Sequence, residues 1–189
     1  ESLSDKYQVK TPITVLRNLP MYQPYEDSFL LHNELDISTD VPIVLYQGGF
    51  LADNGLVEQI RAAKNFGDAV FVLMGGGPCE QELKSIVNNE GLGNKVYFID
   101  RVPFSKLHSY TCSANLGLCL IKGTGKSFYN SLPNKLFEYM MGGLPIIASN
   151  FPEMKNVIQK TGVGTTINPS DIHAISLEVQ SILKNRQEL

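Results

Sequence analysis

Lys135 and Glu138 stand three residues apart near the start of a predicted helix, within the stretch NSLPNKLFEYMMGGLPIIAS. Residues at this spacing lie on neighbouring parts of one helix face. The free amides and the dipole at a helix start favour an anion, and Lys135 lies beside them. Glu138 lies one turn further along, where its carboxylate can accept two hydroxyl hydrogen bonds. A ribose attached to a diphosphate would satisfy both side chains.

The residues before this pair fit a helix start that binds an anion. Asn130 or Ser131 is predicted to cap the helix, and Pro133 suits its first turn. A polar loop with two lysines, Lys122 and Lys126, and two glycines comes just before. The alternative is a plain surface Lys–Glu pair, worth about 0.2–0.5 kcal/mol. The position of the pair, between this loop and a buried strand, favours a ligand site.

Short apolar runs alternate with helical patterns along the chain and would position this pair. A parallel sheet covered by helices on both faces has continuous apolar strands of this kind, so the sequence predicts an α/β fold. Ligands of such folds bind beyond the carboxyl ends of the strands. Strands are predicted at 13–16, 42–47, 69–74, 95–99, 116–121, 145–149 and 164–167.

The loops that follow the predicted strands carry further candidate residues. Gly48 and Gly49 let a ligand approach the backbone, although a tight turn alone would also explain them. Gly75 and Gly77 resemble the start of a dinucleotide fingerprint, but Glu80 occupies its third glycine position, so NAD or FAD is not favoured.

The turn after the strand VYFI is the last candidate loop. It places the backbone amide and carbonyl of Val102 at the mouth of the cleft, where exposed backbone can bind a nucleobase edge. The alternative is an ordinary turn between a strand and a helix.

Composition limits the classes of function. The chain has 189 residues, which suits a single domain over 1–189, and its net charge of −3 does not favour a nucleic-acid-binding surface. Three cysteines without a C-x-x-C pair and three scattered histidines predict no metal site and favour a reducing compartment such as the cytoplasm. The opening ESLSDKYQVK is no signal peptide, and we expect the chain to be part of a longer protein.

The stretch SLPNKLFEYMMGGLPIIAS resembles the donor-binding signature of family-four (group 1) glycosyltransferases of the GT-B fold. The agreement extends along almost the whole chain. The segments that carry it are VLRNLP, YQGGFLADNGLVEQIRAA, VLMGGGPCEQELK and VYFIDRVPFSKLHSYTCSANLGLCLI. The signature helix is fairly specific, whereas the other segments are specific only in combination.

This resemblance implies a Rossmann-like, doubly wound domain that binds a nucleotide diphosphate sugar. The acceptor-binding domain of such enzymes precedes this one. Glu138 would then bind the ribose hydroxyls and Asn130 the hydroxyls of the donor sugar, while Val102 would meet the base through its backbone. The diphosphate would lie near the backbone amides of Ser131, Leu132, Pro133 and Asn134, of which proline has none to donate.

The resemblance also implies hexosyl transfer with retention at the anomeric carbon, without metal or cofactor. The acceptor would be a sugar or a lipid-linked sugar, in polysaccharide or glycolipid assembly, with the enzyme cytoplasmic or peripheral at the inner membrane face. The chain departs from the family in having Gly49 and Asn54 where basic residues often neutralise the diphosphate. Lys135 is the best substitute and Lys126 a weaker one. Asn130 likewise replaces a carboxylate.

Three alternatives stay open. A non-hydrolysing nucleotide-sugar epimerase would need its own catalytic acids and histidine in the cleft, and none is well placed. A non-catalytic nucleotide-sugar-binding module would fit the loss of basic residues from the first loop. An NAD-dependent dehydrogenase is disfavoured by the broken glycine fingerprint.

Overall fold

The computed structural model describes residues 3–12, 14, 18–123 and 125–185. Six parallel strands form one sheet, in the order β3-β2-β1-β4-β5-β6. The strands are β1 (Ile43–Gly49), β2 (Val70–Gly76), β3 (Val96–Ile99), β4 (Leu116–Cys119), β5 (Ile146–Ser149) and β6 (Gly164–Ile167). The order reverses between β1 and β4, which pair through Val44 with Leu116 and Leu45 with Gly117. This is the Rossmann-type order, so the predicted fold class is confirmed.

Helices cover both faces of the sheet. They are α1 (Leu3–Tyr7), α2 (Leu30–Leu35), α3 (Leu56–Ala63), α4 (Glu80–Asn89), α5 (Phe104–Cys112), α6 (Lys126–Tyr129), α7 (Asn134–Met141), α8 (Pro152–Thr161) and α9 (Ile172–Asn185). Alternate residues of β1 enter different cores: Val44 and Tyr46 pack on one face, Ile43 and Leu45 on the other. Burial on both faces explains why the strands are continuous apolar runs. No helix among the described residues has the length and apolarity needed to cross a bilayer.

Three features of the local structure differ from the prediction. The strands predicted at 42–47 and 69–74 were expected to end before their glycines, but β1 continues to Gly49 and β2 to Gly76, with Gly48 paired to Gly75. The two backbones approach closely at this pair: a Cβ atom added to Gly75 would lie only 1.9 Å from the Gly48 carbonyl oxygen. The loop at 122–130 contains helix α6, and α1 was not predicted. The strand predicted at 13–16 lies outside the described residues apart from Thr14.

The start of α7 also differs from the prediction. The helix begins at Asn134, its N-cap is Pro133 in extended conformation, and no side chain caps it. The residues that were expected to cap it close α6 instead. Asn130 donates from its Nδ2 to the Lys126 carbonyl at 2.9 Å, and Ser131 donates from its Oγ to the Phe128 carbonyl at 2.7 Å. The extended backbone at Pro133 separates them from α7.

Candidate functional site

A cleft of about 450 Å³ opens at the carboxyl ends of β1 and β2, beside the point where the strand order reverses. The loop after β3, helix α5 and the start of α7 complete its walls. Its lining residues are Gln47, Gly48, Gly49, Met74, Gly75, Arg101, Val102, Leu107, Pro133, Asn134, Lys135 and Glu138. Ligands of doubly wound sheets bind at this position.

Lys135 brings a cation to the end of β1. Its amine lies 3.8 Å from the centroid of the Tyr46 ring, and a Cβ atom on Gly48 would lie 3.4 Å from that amine. Burial lowers the pKa of Lys135 from 10.5 to about 8. Among the described residues, no carboxylate lies within 4.0 Å of this amine. The nearby Cys119 thiol is neutral at physiological pH, because burial raises its pKa to about 11. The cation-π contact with Tyr46 and the charge of Glu138 therefore favour the cation against its burial.

The loop after β1 is closed by two hydrogen bonds to one carbonyl. The Tyr46 hydroxyl donates to the Gly49 carbonyl at 2.7 Å, and the Asn54 side-chain amide donates to the same oxygen at 2.8 Å. Burial raises the pKa of Tyr46, so its hydroxyl stays protonated as a donor. Asn54, at one of the two positions where the resemblance predicts a basic residue, thus bonds to its own loop.

Glu138 lies on the same side of α7 as the cleft and is held by a residue of β1. The Gln47 side-chain amide donates to Glu138 Oε2 at 2.6 Å. Gln47 is 3% exposed, and its Oε1 accepts a hydrogen bond from the Thr111 hydroxyl at 2.8 Å. The carboxylate therefore has a fixed partner on one oxygen, while its other oxygen is available to a ligand.

Arg101 adds a second cation at the edge of the cleft, next to Val102. It is exposed, and its Nη2 donates to the Gly76 carbonyl at 3.1 Å, which ties the loop after β3 to the end of β2. A guanidinium in this position can contact a phosphate or stack on a planar base.

The cleft brings together eight of the residues proposed from the sequence. They are Gly48, Gly49, Gly75, Val102, Pro133, Asn134, Lys135 and Glu138. Four others do not line it: Lys126, Asn130, Ser131 and Leu132. Asn130 and Leu132 border a separate cavity of about 610 Å³, which Asn134 also lines. Lys126 lies in α6 with an exposed side chain.

Four lining residues were missed from the sequence: Gln47, Met74, Arg101 and Leu107. Gln47 carried a usable signal, since it is the amide at the end of the apolar run PIVLYQ. Arg101 stands in the loop IDRVP, which the sequence identified for its backbone at Val102. Met74 and Leu107 belong to ordinary apolar patterns and give no such signal.

Within the described ranges, no group of three or more His, Cys, Asp or Glu side chains is arranged to hold a metal ion. The three cysteines are free, with Cys112 and Cys119 buried. The polar side chains that line the cleft are instead two cations, one carboxylate and two amides, which suit a ligand with phosphates and hydroxyls.

The sheet order and the position of the cleft are those of a Rossmann-like α/β domain of the GT-B type. The family model described as glycosyl transferases group 1 matches residues 27–189, and the chain belongs to this family. A curated relative is the putative colanic acid biosynthesis glycosyl transferase WcaI of Escherichia coli (strain K12). It is 24% identical over 159 residues, which are 81% of this chain and 38% of the relative.

Solved structures show the same fold. The sucrose-phosphate synthase of Thermosynechococcus elongatus superposes with a TM-score of 0.72 at 23% identity, over 89% of this chain and 43% of that one. HepE of Anabaena, in complex with UDP, superposes with a TM-score of 0.70 at 16% identity, over 84% of this chain and 43% of that one. The chain thus spans about two fifths of the length of these relatives.

Proposed function

We propose that this chain is the donor-binding domain of a retaining glycosyltransferase that uses a nucleoside diphosphate sugar. The observation that carries the proposal is that the Lys135 amine and the Glu138 carboxylate line one cleft beside the reversal of strand order. A cation and a carboxylate there match the two ends of a ribose diphosphate. Family membership and the UDP complex of the structurally similar HepE support the same ligand class.

Each part of the donor has a proposed partner. The Glu138 carboxylate accepts hydrogen bonds from the ribose hydroxyls. Lys135 and the free amides at the start of α7 bind the diphosphate, with Gly48 and Gly75 allowing close approach of the backbone. Val102 and Arg101 border the space for the base. As the glycosidic bond breaks, Lys135 and the helix amides stabilise the charge that grows on the leaving diphosphate.

The donor sugar requires hydroxyl-binding groups beyond the diphosphate. Asn130 is proposed for this role, and Asn134, which lines both the cleft and the neighbouring cavity, links the two spaces. Ser131 and Leu132 belong to the same segment and are proposed to contact the diphosphate through their amides. The Ser131 amide now donates to the Phe128 carbonyl at 3.1 Å, so binding through it would replace that bond. Lys126 would then act as a more distant cation. In the present geometry the Asn130 amide donates to the Lys126 carbonyl, so binding through this nitrogen would replace that bond.

The acceptor is proposed to be a sugar or a lipid-linked sugar, bound mainly by a preceding domain. The curated relative is named for colanic acid biosynthesis, which favours polysaccharide or glycolipid assembly in the cytoplasm or at the inner membrane face. Since this chain spans 38% of that relative, the isolated chain is expected to bind the donor without transferring its sugar.

A second candidate is a nucleotide-sugar-binding module without transferase activity. The observation that favours it is the first loop, in which residues 48–54 include no lysine or arginine and Asn54 bonds to the Gly49 carbonyl. Transfer of the sugar to an acceptor by a full-length protein that contains this domain would contradict this candidate.

The test of the main proposal is calorimetric titration of the chain with uridine, guanosine and adenosine diphosphates, their nucleosides and NAD. We expect one of the diphosphates to bind more tightly than its nucleoside, and NAD to bind weakly. Absence of binding by all three diphosphates to the folded protein would contradict the proposal. Acceptor-dependent sugar transfer by the chain alone would contradict its expected inactivity.

A further inference from the structure

Three side chains from three separate elements form a continuous hydrogen-bonded series that ends in the cleft. Thr111 of α5 donates from its hydroxyl to Gln47 Oε1 at 2.8 Å, and Gln47 of β1 donates from its Nε2 to Glu138 Oε2 of α7 at 2.6 Å. Thr111 is 0% exposed and Gln47 is 3% exposed. We call these residues the Thr111–Gln47–Glu138 series.

The direction of the series is fixed by its chemistry. A carboxylate only accepts hydrogen bonds, so the nitrogen of the Gln47 amide must face Glu138 and its oxygen must face Thr111. Thr111 also lies 2.9 Å from the carbonyl of Leu107, which can accept the hydroxyl proton instead. Donation to Gln47 satisfies a buried amide oxygen, whereas the Leu107 carbonyl is already the acceptor for a helix amide.

The backbone around Gln47 is held independently of its side chain. The backbone N–H of Gln47 donates to the Tyr139 hydroxyl at 3.0 Å. Tyr139 lies within 3.3 Å of the carbonyls of Leu45 and Leu118, to either of which its hydroxyl proton can be donated. Strand β1 and helix α7 therefore remain joined when the Gln47 side chain is changed, and the series can be tested in a folded protein.

We propose that Gln47, held by Thr111, is a positioning residue that orients the Glu138 carboxylate towards the ribose of the donor. This inference rests on the proposed function. Gln47 occupies Oε2, so Oε1 and the remaining lone pair of Oε2 face the ligand in one fixed orientation. A fixed acceptor favours a ligand that supplies both ribose hydroxyls, because a missing hydroxyl leaves a charged oxygen without its donor. The site thus selects ribonucleoside diphosphate sugars over 2′-deoxyribonucleoside diphosphate sugars.

The test compares ribonucleotide and 2′-deoxyribonucleotide binding in four proteins: wild type, Gln47→Met, Thr111→Val and Thr111→Ser. Methionine keeps approximately the length of Gln47 but has no donor for Glu138. Serine keeps the hydroxyl of Thr111 and valine removes it. Uridine and guanosine diphosphates, with their 2′-deoxy forms, are titrated by calorimetry, and circular dichroism verifies folding.

The expected result is a loss that depends on the ribose. Gln47→Met weakens ribonucleotide binding by about five- to fiftyfold, which corresponds to one charge-assisted hydrogen bond, and changes 2′-deoxyribonucleotide binding less than threefold. Thr111→Val also weakens ribonucleotide binding more than 2′-deoxyribonucleotide binding, whereas Thr111→Ser keeps the wild-type preference for the ribonucleotide.

Three results would overturn the positioning role of Gln47. Equal weakening of both nucleotide types by Gln47→Met, or unchanged binding of both, would overturn the positioning role. A wild type that binds the diphosphates without any preference for the 2′-hydroxyl would overturn only this inference. A wild type that binds none of the diphosphates would contradict the proposed function itself.

Discussion

The amine of Lys135 lies 3.8 Å from the centre of the Tyr46 ring. Among the described residues, no carboxylate lies within 4.0 Å of this amine. The aromatic face thus supports a cation whose burial lowers its pKa to about 8. A cation held in this way can gain a stronger partner from a ligand phosphate.

Replacing Lys135 by methionine should separate ligand binding from folding. The loss of the cation weakens nucleoside diphosphate binding by about ten- to a hundredfold, while nucleoside binding changes little. The same change removes a buried charge and raises the free energy of unfolding at pH 7 by about 1–3 kcal/mol. Calorimetry and urea unfolding measure the two effects. An equal loss for nucleoside and diphosphate would contradict the assignment of Lys135 to phosphate.

The binding of diphosphate should also decrease as the pH rises through about 8, the pKa of Lys135. Above this pH the free protein holds a neutral amine, while the ligand is already fully ionised. Stability changes in the opposite direction: the folded state binds fewer protons than the unfolded state between about 8 and 10.5, so the free energy of unfolding rises with pH in that window.

The control for both pH effects is Lys135→Met, which lacks the titrating amine. The groups that surround the amine are Tyr46, Cys119 and Glu138, and the raised pKa values of Tyr46 and Cys119 keep both neutral near pH 8. A wild-type protein whose affinity and stability follow those of Lys135→Met from pH 7 to about pH 10.5 would show that the amine is not responsible.

Substituting Glu138 by glutamine keeps the shape of the side chain and removes its charge. The new amide can turn its oxygen to Gln47 Nε2, which leaves a donor facing the ribose in place of an acceptor. We expect nucleotide affinity to fall by about ten- to a hundredfold, or about 1.4–2.8 kcal/mol. Titration with diphosphates and nucleosides measures the effect. Both ligand types should lose affinity, in contrast to Lys135→Met, and an unchanged affinity would remove Glu138 from the site.

Donor binding is predicted to need no divalent metal. The cations of the cleft are side chains, and within the described ranges no cluster of three acidic, histidine or cysteine side chains is arranged around a common point. Diphosphate affinity should therefore be the same, within about twofold, in a chelator and in magnesium or manganese. An affinity that collapses on chelation and returns with either ion would contradict this prediction.

The alternation of apolar runs and helical patterns was enough to predict the sheet type. Its reason is physical: strands buried on both faces cannot alternate in polarity, as Ile43 and Val44 illustrate by entering opposite cores. The same pattern placed Lys135, Glu138 and Gly48 near one edge, because the carboxyl ends of parallel strands share that edge. All three residues line the cleft.

The partners of Gln47 could not be predicted in this way. Thr111 and Glu138 lie 64 and 91 residues further along the chain, so their contact with Gln47 depends on the docking of two helices. Asn130 shows a different limit. It was predicted as a cap of the helix that carries Glu138, and its role followed from the family resemblance, but Asn130 closes the preceding helix α6 and an extended backbone at Pro133 separates it from α7.

The close approach of β1 and β2 gives the last prediction, which concerns Gly75. A Cβ atom at this position would lie 1.9 Å from the Gly48 carbonyl oxygen, and the φ of +149° is unfavourable for other residues. Gly75→Ala should therefore lower the free energy of unfolding by about 2–4 kcal/mol, because the paired strand ends must separate. Gly93→Ala is the matched control: no heavy atom lies within 4 Å of its Cβ position, and its φ is not positive. The control should change stability by less than about 0.5 kcal/mol. Urea unfolding measures both variants, and equal stability of the two would contradict the close approach of these strands.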